Sequence, residues 1–232
     1  ILQAKSILSG TMAGFIQRNA FTVENSSYPP GPVAYPWGFP LLIAPVYAVF
    51  GLNVLAFKLV NTLFYALFLI VFWRLARARL TETESLILTS VLAFNPALLL
   101  GHDLILSDIP FLFFSTLGLF LIIRTPKSPD FGLITGAAIF LAFFIRTNGI
   151  LLLIPLFVSA LTVSWPRWRT ALKNTLIPLA AFGFLLCAQA LVFPGGQESY
   201  FSHFSMFTLP RLWDNLLYYL WLPASTFDGI PG

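Results

Sequence analysis

The chain has 232 residues, 58% of them hydrophobic and only 9% charged, with a mean hydropathy of +0.84. Soluble domains carry about 25% charged residues, so there is too little polar surface here to cover a water-soluble globule. The formal net charge of +4 does not point to nucleic acid, because the charges sit in short turns between apolar runs rather than on one amphipathic face. The composition therefore predicts an all-α polytopic membrane protein, with most of its apolar surface facing lipid or other helices.

Residues 1–53 read as an external loop region. Leu2, Ala4, Ile7 and Leu8 recur at helical spacing, so residues 1–20 are expected to be helical, with Gly10 and Gly14 near the end. Residues 21–40 are expected to be a loop, since Pro29, Pro30, Pro32, Pro36 and Pro40 do not suit a helix interior. Residues 41–50 are apolar, too short to cross a bilayer and interrupted by Pro45, which predicts an interfacial or re-entrant segment.

Six spans are predicted within residues 54–193: 54–73, 86–101, 106–123, 132–146, 149–163 and 174–193. The fourth and fifth fall short of the roughly 20 apolar residues a span needs. Residues 194–232 read as a second external loop, with 216–222 opening a further membrane or interfacial helix. Six spans place Arg74, Arg77, Arg79, Arg124, Lys127, Arg167, Arg169 and Lys173 on one side, which the positive-inside rule makes cytoplasmic. The rarer polar residues then gather on the opposite face. The chain opens at Ile1 without an initiator Met and stops at Gly232 just after a new apolar stretch, so it reads as part of a longer protein. The single cysteine, Cys187, lies in an apolar run and offers neither an internal disulfide nor a cysteine metal site.

Several motifs appear in order along this layout. Leu2-Gln3-Ala4-Lys5-Ser6-Ile7-Leu8-Ser9-Gly10 is followed by Tyr35-Pro36-Trp37-Gly38-Phe39-Pro40-Leu41-Leu42. Then come Phe50-Gly51-Leu52-Asn53, Leu106-Ser107-Asp108-Ile109-Pro110 and Phe144-Ile145-Arg146-Thr147-Asn148-Gly149. Together they resemble the dolichyl-phosphate-mannose protein mannosyltransferase superfamily, the multi-spanning glycosyltransferases with a C-type fold. The resemblance implies transfer of a sugar from a polyprenyl-phosphate carrier to a lipid, glycan or protein acceptor outside the cytoplasm, in a bacterial plasma membrane. It also implies that the principal carboxylate lies upstream of Ile1, so the fragment alone is expected to be inactive. Relatives that move aminoarabinose onto lipid A carry a Lys-Pro-Pro segment before the hydrophobic lead-in. Here the corresponding stretch is Ala34-Tyr35-Pro36-Trp37-Gly38, with no lysine, which leaves the sugar open.

Asp108 stands out among the site candidates, since a carboxylate at the end of an apolar span is costly unless it meets water or a partner. The resemblance places an acidic residue there near the lipid phosphate or a metal; the plainer reading is a helix N-cap. His102, Asp103 and Asp108 share one turn and suggest a site for a divalent cation, magnesium or manganese, or for a phosphate, although their spacing matches no metal signature. Arg146 stands between two apolar runs, and its planar guanidinium suits a leaving phosphate; the competing reading is snorkelling to the interface. Asn148 is its neighbour. Lys58, near the start of the first span, is read as snorkelling or as meeting a lipid phosphate. Tyr35 and Trp37 are expected at the lipid–water boundary or against substrate, and Glu24 beside them is a loop residue within reach of an acceptor. Glu198 and His203 are external and could complete an acid–base or metal site. Asn25-Ser26-Ser27 fits an N-glycosylation sequon, relevant only in a eukaryotic lumen.

Three other functions are weighed. A transporter would place its charges near mid-membrane, whereas these lie at span ends. A non-catalytic scaffold would not need Asp108. A soluble nucleotide-sugar enzyme is disfavoured because no glycine-rich loop follows a predicted strand.

Overall fold

A computed structural model describes residues 1–26, 34–124, 129–163, 168–194, 213–214 and 216–218. All regular structure among these residues is helical. The elements are α1 (Leu2–Leu8), α2 (Met12–Glu24), α3 (Gly38–Phe50), α4 (Val54–Ala76), α5 (Glu82–Ala93), α6 (Pro96–Asp103), α7 (Asp108–Arg124) and α8 (Pro129–Ile145). A 3-10 turn at Thr147–Leu152 then leads into α9 (Leu153–Val163) and α10 (Trp168–Val192).

The N-terminal helix expected over 1–20 is two helices, broken at Ser9-Gly10, and α2 runs on to Glu24 into the expected loop. The loop closes early at its other end. Pro40 falls in the first turn of α3, where a missing N–H costs nothing, so the helix starts at Gly38 rather than beyond residue 40. The expected second span, 86–101, is also divided. Asn95 leaves the helical conformation and its Oδ1 accepts from the amides of Ala97 at 3.0 Å and Leu98 at 3.3 Å. Pro96 follows at the first position of α6. A cap followed by proline is a start signal, and here it outweighs the apolar run.

Two helices among the described residues, Val54–Ala76 and Leu172–Val192, are long and apolar enough to cross a membrane. Helices α7 and α8 have 17 residues each. Inside a bilayer, helices gain little from apolar burial and are held by close packing and polar contacts. Helix α8 packs between α7 and α10, and α4 lies along α7. Ile139 and Ala142 of α8 are fully buried at the centre of the largest cluster. Phe57 of α4 joins Ala4, Ile43 and Ala44 in a second cluster, which ties α1 and α3 to the bundle.

The bundle has two chemically different ends. At one, α4 finishes with Arg77 stacked over Trp73 and α7 finishes with Arg124 over Phe120. At the other lie the N-termini of α4 and α7 and the C-termini of α8 and α10, joined by polar contacts that include Lys58–Asp103 and Arg146–Asp108. Lys58, Asp103, Asp108 and Arg146 thus share one end.

Helix α5 begins with a capping box. The Glu84 carboxylate accepts from the Thr81 amide at 2.9 Å and the Thr81 hydroxyl at 2.8 Å. These bonds, the backbone one first, hold the Glu84 carboxyl below its ordinary value. A lowered folded value means that this contribution is present above the ordinary carboxylate range and is lost as pH falls through the folded value. Amide exchange over residues 82–86 is expected to rise at that acid limit in the parent protein. Thr81→Ala should show the faster exchange already at neutral pH.

Candidate functional site

The site grows from two close backbone approaches. Helix α8 ends at Ile145, and Arg146 turns to an extended conformation, φ −145° and ψ 131°. Its amide still donates to Ala142 O at 3.0 Å, and its carbonyl accepts from Gly149 at 2.8 Å. The chain doubles back so tightly that a Cβ on Gly149 would lie 2.2 Å from the Phe143 nitrogen. Only glycine fits there. Gly38 makes the second approach: its Cβ would lie 2.5 Å from the Phe144 carbonyl oxygen. The first turn of α3 therefore rests on the last turn of α8, and this brings Tyr35-Pro36 beside Arg146.

Asp108 is the first residue of α7, and its Oδ1 accepts from Arg146 Nη1. The carboxylate also sits at the positive end of the helix dipole. The guanidinium carbon stands 6.0 Å from the centroid of the Phe111 ring, one turn into α7. Nearly half of each charged side chain is exposed, so the pair adds only about 0–1 kcal/mol to stability. Its consequence is geometric: the carboxylate holds one guanidinium nitrogen and leaves the remaining donors available.

The pair faces a cavity of about 470 Å³. Tyr35, Ser107, Thr147 and Asn148 add polar groups to its wall, while Ile43, Ile105 and Leu106 add apolar ones. A second cavity of about 460 Å³ adjoins it through Gln3, Tyr35, Phe39 and Ile105. Gln3 Nε2 donates to the Tyr35 carbonyl at 2.8 Å and so fixes the partition between the two. A mixed wall with one fixed cation suits an anionic group joined to an apolar body.

Residues 34–193 match the sequence model of a family described as dolichyl-phosphate-mannose-protein mannosyltransferase. The chain belongs to this family. The matched stretch contains α3 through α10 and both members of the Asp108–Arg146 pair. No curated protein and no solved structure matches the chain. Membership makes it a membrane glycosyltransferase in general terms.

The other candidates divide. In this mannosyltransferase-family chain, Tyr35, Asp108, Arg146 and Asn148 line one cavity. Lys58 and Asp103 pair with each other at 2.7 Å and are not among its lining residues. His102 lies in α6 near that pair in sequence. Trp37 corrects the sequence reading. It is 5% exposed, its Nε1 donates to Pro194 O at 3.1 Å, and its ring stacks on Phe193 at 5.6 Å. It locks α3 to the end of α10 instead of facing lipid headgroups or substrate. Glu198 and His203 lie outside the described residues.

The carboxylates proposed for a divalent cation do not form a ligand set here. Asp103 faces Lys58 and Asp108 faces Arg146, each on its own side. Among the described residues no group of three or more His, Cys, Asp or Glu side chains comes together. The sequence reading also passed over two residues, Gln3 and Asn61. Asn61 left a signal, as an uncharged but strongly polar residue inside the apolar run 54–73.

Proposed function

We propose that this chain binds the donor of a glycosyltransferase that takes its sugar from a polyprenyl-phosphate carrier on the non-cytoplasmic face of the membrane. The observation that carries the reading is the Arg146 guanidinium, held by Asp108 beside Phe111 and lining a cavity that has both polar and apolar residues in its wall. A lipid phosphate has the same two-sided chemistry. Its tail would follow Ile43, Ile105 and Leu106, and its phosphate would meet Arg146.

In the reaction, an acceptor oxygen or nitrogen attacks the anomeric carbon from the face opposite the phosphate. The bond between that carbon and the phosphate oxygen breaks, and its electron pair stays on the phosphate. Arg146 would stabilise the charge as it develops, which accelerates the step because the donor is already in place and already desolvated on one side. Asp108 would prevent the guanidinium from swinging away between turnovers. The acceptor's proton must go to a base. Among the described lining residues Asp108 is the only carboxylate, and it is engaged by Arg146, so it is not assigned the role of base.

The two ends of the bundle support an orientation. Arg77 and Arg124 mark the end opposite the cavity, and the positive-inside rule assigns that end to the cytoplasm. In a bacterial cell the cavity would then open on the periplasmic side of the inner membrane.

The test is donor class. Membranes expressing the full-length gene should transfer labelled sugar from polyprenyl-phosphate sugars, and not from nucleotide sugars when carrier synthesis is blocked. Transfer from nucleotide sugars under that block would overturn the reading. Asn148 supplies a side-chain amide to the cavity but no charge, so it is expected to act in binding. Asn148→Ala should raise KM for the donor about three- to tenfold and leave kcat within about twofold, the pattern of lost uniform binding.

A further inference from the structure

We infer that Asn61 is a positioning residue: from inside α4 it clamps the segment that presents Asp108 to Arg146. Asn61 is 0% exposed. Its Nδ2 donates to the carbonyls of both Leu104 and Leu106, the latter at 3.1 Å. Two carbonyl oxygens can be served only by the NH2 side of the amide, so the orientation of the side chain is fixed by its partners. Its Oδ1 is buried with no hydrogen-bond partner among the described residues. Burying that acceptor unpaired is costly, and an apolar residue of similar size would avoid the cost. The two donated bonds are what the asparagine provides in return.

These bonds fall on the connection between α6 and α7. Helix α6 ends at Asp103, Leu104 is extended, and α7 begins at Asp108. A connecting segment at the edge of an apolar bundle must have its carbonyls satisfied, and Asn61 satisfies two of them. Leu106 is two residues before Asp108, so its carbonyl sets where α7 starts and where the Asp108 carboxylate stands.

The neighbours of Asn61 on the same face of α4 extend the clamp. Lys58 binds Asp103 at 2.7 Å. Tyr65 donates from its hydroxyl to Ala93 O at 2.9 Å and Leu92 O at 3.2 Å. Residues spaced three and seven apart share a helix face. One stripe of α4 thus fixes the path from the end of α5 to the start of α7. Of the three contacts, the one made by Asn61 lies nearest to Asp108.

The catalytic part of this inference rests on the glycosyltransferase reading, but its geometric part does not. The experiment therefore has two arms, run on the full-length protein in lipid nanodiscs. In the first, hydrogen–deuterium exchange compares the parent, Asn61→Leu and Tyr65→Phe. Asn61→Leu should raise exchange at least about tenfold in peptides covering 104–110, with peptides from 172–192 unchanged. Tyr65→Phe should raise exchange near 92–98 and leave 104–110 as in the parent. In the second arm, sugar transfer by Asn61→Leu should show kcat reduced about 10- to 100-fold with the donor KM within about threefold, as expected when reacting groups are misplaced rather than removed. Uniformly faster exchange in all helices, or no change at 104–110, overturns the positioning role. Faster exchange at 104–110 with full kcat overturns its link to the reaction. If the parent itself transfers no sugar, the glycosyltransferase reading fails, while the exchange arm still decides the clamp. Should Asn61→Leu not accumulate, Asn61→Ala carries the same readouts.

Discussion

Arg146→Ala is expected to lower kcat/KM for sugar transfer by about 10²–10³-fold, the range seen when one fixed donor to a developing charge is removed. The fall should be mainly in kcat, because the charge on the departing phosphate is largest in the transition state. Arg146→Lys should recover little of it. A lysine keeps the charge but cannot donate to Asp108 and to a phosphate from one rigid plane. Asp108→Asn should cost less, about tenfold, since the arginine remains and loses only its anchor. Combining Arg146→Ala with Asp108→Asn should cost no more than Arg146→Ala alone, because the two side chains act as a unit. Steady-state transfer assays on the parent and the four variants at matched expression check this. Equal and additive losses would show that Asp108 acts independently of Arg146.

The second large effect is expected at Gly149. A side chain there meets backbone, not a flexible neighbour: the nearest atoms to an added Cβ are the Phe143 nitrogen and the Ala142 carbonyl carbon. Overpacking of this kind costs about 1–3 kcal/mol and more when backbone must move. Against a total stability of about 5–15 kcal/mol, that is a large share. Gly149→Val should therefore lower the melting temperature by several degrees and abolish transfer, because the turn it distorts carries Arg146. Gly14→Ala is the control. Its added Cβ would meet nothing within 4 Å, so thermal stability and transfer should stay near the parent values. A Gly149→Val protein with normal melting and normal transfer would mean that the turn is not under the constraint its geometry indicates.

Much of the site was legible in the sequence, for identifiable reasons. Charges are scarce in an apolar chain, so each one is conspicuous, and the distribution of arginines separated the two ends of the bundle. Asp108 and Arg146 could each be singled out in this way. That they touch could not be read, because they are 38 residues apart and meet only through the packing of α8 on α7. Trp37 was misplaced because a tryptophan between prolines suits an interfacial belt. Its burial depends on Phe193 and Pro194, far along the chain, which no local pattern reveals. Asn95-Pro96 was not read as a break, because the apolar residues on either side suggested one continuous span. Asn61 was legible as an anomaly and was passed over, because an uncharged side chain does not register in a search for charges.

The central question is whether Arg146 and Asp108 serve the departure of a lipid phosphate. The most direct measurement is transfer of labelled sugar from polyprenyl-phosphate donors by membranes containing the full-length protein, with wild type beside Arg146→Ala and Asp108→Asn at equal expression. Wild type should transfer sugar robustly, with near-complete loss in Arg146→Ala and a smaller loss in Asp108→Asn. Transfer at wild-type rates in both variants would contradict this and return the pair to a structural role at the end of the bundle.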